Sequence, residues 1–219
     1  MNRIIRDASL AEDPRRIGIL DVRYPDRSEW DLPAYEAMLA AELEKIREEG
    51  KAYDRETVFR QHPYFRYFRK FKKSYPVMMQ VESFLLKGRP FPEGEYINSV
   101  AFLTELKTHY LLGTHDVDRI EGDLILYNES AKTPFVGMIN PDSHSYPGDL
   151  TGRDDQGIII SMIGGADART CIHDDTDHVI YLFFGAPDTT AEEIERTARQ
   201  TETYVRVLAP GAETAFSIY

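Results

Sequence analysis

Ten residues near the middle of the chain, Gly113-Thr-His-Asp-Val-Asp-Arg-Ile-Glu-Gly122, separate a run of helical character from one of strand character. Joining the two within so few residues demands a tight corner. Gly113 predicts the stop of the helix. Asp116 or Asp118 is suited to accept hydrogen bonds from nearby backbone N–H groups. Arg119 is expected to pair with Glu121 or Asp123, or to brace carbonyls, and Gly122 to supply a positive φ ahead of the strand.

The pattern on either side of this corner sets the fold class. Apolar residues at two-residue steps predict a strand over 16–23. A helix is expected over 31–50, with Asp31 as N-cap, Pro33 in the first turn and Gly50 as stop; Tyr35, Leu39, Leu43 and Ile46 form its apolar stripe. Shorter helices follow from Asp54, over 64–72 and over 76–87. Residues 88–94 break the chain. The run 96–112 is apolar on most sides and reads as a buried helix. Strands are then predicted over 124–127, 134–139, 157–163 and 178–184, and a last amphipathic helix from Thr190 turns Ile194, Ala198, Thr201, Val205 and Leu208 inward. Helices lead and strands follow, which is an α+β order in a single domain over 1–219. The segment 140–155, rich in Pro, Gly, Asp and Ser, reads as a loop that covers a pocket.

Hydrophobic residues make up 42% and charged residues 29% of the 219, an ordinary globular balance. No membrane span or apolar leader is evident, and one cysteine, Cys171, suits a reducing compartment, so a cytoplasmic protein is expected. The net charge of −11 argues against a surface given over to nucleic acid. The distribution argues the other way. Between Thr57 and Val81 there is no acidic residue, while Arg60, Arg66, Arg69, Lys70, Lys72 and Lys73 interleave with Tyr64, Phe65, Tyr67, Phe68, Phe71 and Tyr75. Such a segment stacks bases and holds phosphates, or else buries its aromatics and solvates its cations.

Residues 171–178 gather a thiol, two histidines and three carboxylates, but the spacing of His173, Asp175 and His178 fits no familiar zinc pattern, and a polar turn accounts for it; no metal and no cofactor are expected. Cys171 as a nucleophile would need a base beside it, and His173 is near only in sequence. His109 and His115 flank the end of the buried helix: His109 reads as a helix-end hydrogen bonder and His115 as the lining of a pocket mouth, with a general base as the alternative for either. Gly164-Gly165 closes an apolar strand, as a simple turn or as a place where backbone meets a ligand.

With those residues in hand, the chain resembles the tRNA-binding and editing module, the B3/B4 domain, of the phenylalanyl-tRNA synthetase β subunit, as a free-standing relative with its core over about 17–208. The likeness rests on Asp118-Arg119-Ile120-Glu121-Gly122 and the next strand, on Pro134-Phe-Val136, on Asp154-Asp155 with Gly157 and its strand, and on Asp175-Thr176 before His178. It implies a helical N-terminal half packed on a mainly antiparallel sheet, a C-terminal helix, and an amino-acid-sized pocket between two halves. It also implies a partner, tRNA or aminoacyl-tRNA, or an amino-acid-like small molecule, and hydrolysis of an aminoacyl ester. Residues 66–73 (Arg66, Arg69, Lys70, Lys72, Lys73) become the expected tRNA contacts. Gly113, Asp154, Asp155, Gly164, Gly165 and Leu182 become the expected ligand contacts. Ester hydrolysis would use backbone donors at Gly164 and Gly165, with His115 or Asp116 orienting water. The resemblance puts the family's pocket histidine at Gly113 and the glutamate that reads the tyrosine hydroxyl at Leu182. Neither polar group is present, so the implied cavity suits a less polar side chain than tyrosine. An enzyme of other specificity on this fold and a non-catalytic binding module are the other two readings.

Overall fold

A computed structural model describes residues 1–92 and 94–219. Strands β1 (Ile4–Arg6) and β2 (Ile17–Arg23) precede five helices: α1 (Leu32–Glu49), α2 (Arg55–Phe59), α3 (Pro63–Lys70), α4 (Pro76–Leu85) and α5 (Tyr96–Thr108). Then come β3 (Leu112–Asp116), β4 (Leu124–Asn128), β5 (Pro134–Phe135), β6 (Ser143–His144), β7 (Leu150–Asp154), β8 (Gly157–Ser161), β9 (Gly165–Ala166) and β10 (His178–Phe184), followed by α6 (Ala191–Leu208) and β11 (Glu213–Ile218). The class is α+β with a C-terminal helix. The strands form two sheets and a two-stranded ribbon rather than one sheet: β1-β4-β7-β8-β9, β11-β2-β10-β3, and β5-β6. Every pairing is antiparallel except β1 with β4.

The helices begin where side chains replace missing backbone partners. Asp31 accepts from the Ala34 N–H at 3.0 Å, Asp54 from Thr57 at 2.9 Å, and Thr190 and Glu193 cap α6 reciprocally. Helix α5 ends earlier than expected. Its stop is His109, in the left-handed region with φ 62°, not Gly113. The Tyr75 hydroxyl donates to the His109 carbonyl at 2.7 Å and the Leu112 N–H to Glu105 Oε1 at 3.0 Å, so the surrounding groups hold a turn that glycine would make unaided. The freed residues become β3. Likewise 140–155 is no continuous loop. It contains β6 and the whole of β7, which lies in the middle of its sheet between β4 and β8.

Strand β10 is buried along all seven residues, the pattern of a strand covered on both faces. The Tyr181 hydroxyl donates to the Ile97 carbonyl on α5, so Tyr181 and Phe183 face the helices. The alternate residues, with Gly113 and His115 of β3, face the other sheet, where the Ile160 side chain lies against Gly113. The main core therefore has two layers, one on each side of β11-β2-β10-β3.

Candidate ligand-binding site

At the end of the first sheet, a pocket of about 340 Å³ is lined by the Gly164–Gly165 turn, by Ile163 and Ala166, by Met138 and Ile139, by the 140–146 segment and by Lys73. Its floor is built from below. Asp149, buried at the start of β7, accepts from the Ser161 hydroxyl, from the Ile163 N–H at 3.3 Å and from the Tyr67 hydroxyl at 3.3 Å. Ser161 Oγ in turn accepts from the Gly164 N–H at 2.7 Å. Tyr67 belongs to α3, so the basic helix and the pocket floor share one buried network, which Arg15 extends by donating to Tyr67 at 2.9 Å. Burial pushes the Asp149 carboxyl up to about 6, against the hydrogen bonds that favour its charged form.

Both glycines of the floor are required by geometry. A Cβ at Gly164 would overlap the His144 carbonyl, and Gly165 sits at φ 88° with open space where a side chain would go. The engaged Gly164 N–H also corrects an expectation: it is spent on Ser161 and is not a free oxyanion donor.

The expected nucleic-acid residues divide. Arg69, Lys70, Lys72 and Lys73 are exposed, and Arg66 is exposed but paired with Asp188 at 2.7 Å. Four of the six aromatics between them pack inward, while Phe65 and Phe71 are half-buried. Tyr64, Tyr67, Phe68 and Tyr75 are buried, and Tyr64 and Tyr75 stack with centroids 5.5 Å apart. Base stacking on these four rings is therefore excluded, and α3 is an amphipathic helix with a solvated basic face.

Gly113 and Leu182, assigned to the pocket by resemblance, are register partners across β3 and β10. Both are buried; a Cβ at Gly113 would lie 3.2 Å from Ile160 Cδ1 and 3.6 Å from His115 Nε2. Neither lines the pocket described above. His115 is fully buried. The Asp167 carboxylate accepts from the Thr170 hydroxyl, whose oxygen stands 2.7 Å from His115 Nδ1. That chain sets the proton on Nδ1 and leaves Nε2 a bare acceptor with no partner among the described residues. Desolvation, aided by the Arg169 charge, holds the ring neutral with its pKa near 3.

The remaining expected residues hold the corner. Asp116 accepts from Asp118 N–H at 2.9 Å, from Thr176 at 2.7 Å and from Arg119 at 3.1 Å. Arg119 spans Asp116 and Asp175 rather than Glu121 or Asp123, because Asp123 is taken by Arg3. Buried Asp154 pairs with Arg169 at 2.7 Å and accepts from the Glu121 N–H, and Asp155 packs where a Gly122 side chain would be. Cys171 donates to the Ala168 carbonyl at 3.1 Å, and burial pushes its thiol up, the reverse of an activated nucleophile. His178 turns to Asp21 at 2.9 Å.

Sequence reasoning missed Tyr146 and Lys132. Lys73 Nζ lies 5.3 Å and Lys132 Nζ 5.9 Å from the centre of the Tyr146 ring, at the mouth of the pocket. The three come from separate segments, and no local pattern links them.

No protein-family model matches the chain. Over 122 residues, 55% of its length, it is 28% identical to the phenylalanine–tRNA ligase beta subunit of Mycoplasma genitalium, of which the match spans 14%. The chain thus corresponds to a small part of that subunit. Among solved structures, an N-terminal fragment of the phenylalanyl-tRNA synthetase beta subunit from Pyrococcus horikoshii aligns with 97% of the chain and 50% of the fragment, at 11% identity and a TM-score of 0.43. The chain is a module similar to part of that synthetase subunit.

Proposed function

We propose that this chain binds the aminoacylated end of a tRNA, or an amino-acid-like ligand of similar chemistry, as a synthetase-related binding module of the cytoplasm. One observation carries the reading. Gly164 and Gly165, singled out for a ligand, and Lys73, singled out for nucleic acid, line the same pocket. Lys72, in the turn after α3, and Lys70 and Arg69 in its last turn are exposed cations that phosphates would follow; Arg66 is held by Asp188 and contributes less. The volume suits an amino-acid-sized group, with half-buried Ile163 in its lining and Met138 and Ile139 exposed at its edge.

Filter or fluorescence binding of tRNA and aminoacyl-tRNA tests this directly. Affinity should fall steeply with added salt, and Lys72→Glu with Lys73→Glu should weaken it by at least tenfold, taking each lost phosphate contact at roughly 1.5 kcal/mol. Absence of binding at low salt would reject the proposal.

A hydrolytic reading has one observation in its favour, the unpartnered Nε2 of His115, which is the form a general base must take. Its burial and the engaged Gly164 N–H favour binding without turnover. Across a panel of aminoacyl-tRNAs, deacylation is therefore expected to stay at the uncatalysed rate. An acceleration that His115→Gln abolishes would establish hydrolysis instead.

A further inference from the structure

Lys73 and Lys132 reach the Tyr146 ring from two separate segments, one from the turn between α3 and α4 and the other from the connection between β4 and β5. Tyr146 is half-buried and steadied by Phe71, with ring centroids 6.2 Å apart, so the ring is a fixed post. Among the described residues the lysines paired with carboxylates are Lys51, just past α1, and Lys107 of α5; neither Lys73 nor Lys132 has such a partner. In a chain of net charge −11, two uncompensated ammonium groups are thus gathered on one aromatic ring beside a pocket. The ring attracts each ammonium group, and a phosphate, with several acceptor oxygens, is the kind of group that offsets the charge of both. Asp142 is the one carboxylate of the pocket lining, and it is exposed on the outer turn of the 140–146 segment.

We infer that Lys73, Lys132 and Tyr146 form a clamp for a phosphate group, holding the phosphorylated end of a ligand whose uncharged part enters the pocket. The inference deepens the reading above, since it names the recognised group, and it rests on that reading only for the source of the phosphate. The chemistry is shared by the terminal nucleotide of a nucleic acid and by a free nucleoside monophosphate. A carboxylate, with less charge and fewer acceptor oxygens, satisfies two ammonium groups less well.

The test is calorimetric titration of the intact protein with adenosine 5′-monophosphate, adenosine, inorganic phosphate and deacylated tRNA at low salt. The monophosphate should bind at least tenfold more tightly than adenosine. Lys73→Ala and Lys132→Ala should each remove on the order of tenfold of that advantage, and Asp142→Asn should increase it severalfold. All three side chains are exposed, so the variants are expected to fold, and circular dichroism checks that they do. Equal affinity for adenosine and its monophosphate, or unchanged binding of every probe in both lysine variants, overturns the clamp. Salt-dependent tRNA binding that ignores Lys132 leaves the binding module standing without the clamp. Binding of the monophosphate but not of tRNA supports the clamp, with a small molecule as the source, and removes tRNA as the partner.

Discussion

Asp149 carries more of the pocket than any residue that lines it. It collects donors from Ser161, Ile163 and Tyr67 while buried, and its pKa near 6 means that it changes charge close to neutrality. The raised value fixes the sign. Between about pH 4 and 6 the native state holds a proton that the unfolded chain has released, so this group's contribution to stability falls as the pH rises through that window. Other buried groups act on the same range, and desolvated Glu105, pushed up to about 8, acts in the same sense. Desolvated His62, with a pKa near 4, and His115 favour the native state as the pH rises, in the opposite sense. Asp149→Asn isolates the one term: urea unfolding from pH 4 to 7 should show the wild type losing up to about 3 kcal/mol relative to the variant. A constant difference would mean that Asp149 titrates normally. Gly122 is a second single-residue dependence. At φ 74°, with the Asp155 carboxylate where a Cβ would sit, Gly122→Ala should lower stability by about 1–3 kcal/mol in the same assay. The positive φ at Gly122 was legible in the sequence because a glycine before a strand admits few readings. The burial of His115 was not, since its partners Thr170 and Asp167 lie more than fifty residues on.

Among the elements, α6 shows how far local rules reach. Thr190 and Glu193 satisfy each other's backbone N–H groups, at 2.8 Å into Glu193 and 3.2 Å into Thr190, and Ile194, Ala198, Thr201, Val205 and Leu208 are all buried as their spacing predicts. Thr190→Ala should cost about 1 kcal/mol in unfolding free energy, and Thr190→Ser nearly nothing. Strand β10, residues 178–184, was equally plain because a strand covered on both faces is apolar throughout. Strand β7 was hidden for the opposite reason. Thr151 and Asp154 are buried yet polar, Asp154 satisfied by distant Arg169 and Thr151 by the Asp149 carbonyl, so the strand has the composition of a loop. The same is true of β3, whose Gly-Thr-His-Asp looks like a turn until β10 is beside it. Half of the candidate site followed this pattern. The glycine pair and Lys73 carry a local signal; Tyr146 and Lys132 acquire meaning only when the chain brings them together.

For the whole molecule, charge and connectivity set the terms. A net charge of −11 surrounds a small basic rim, so long-range repulsion should oppose any polyanion except along the approach to Lys73, and added salt should weaken the rim and relieve the repulsion together. The observed salt slope of tRNA binding will therefore understate the number of phosphate contacts. The arrangement of β2 has a consequence of another kind. Its two neighbours are β10 and β11, so residues 17–23 wait for residues 178–184 and 213–218 before either edge is paired. A strand made early and completed late gives a high contact order. During synthesis β2 stays an open apolar edge until residues 178–184 and 213–218 have followed it, and exposure to misassembly is greatest in that interval.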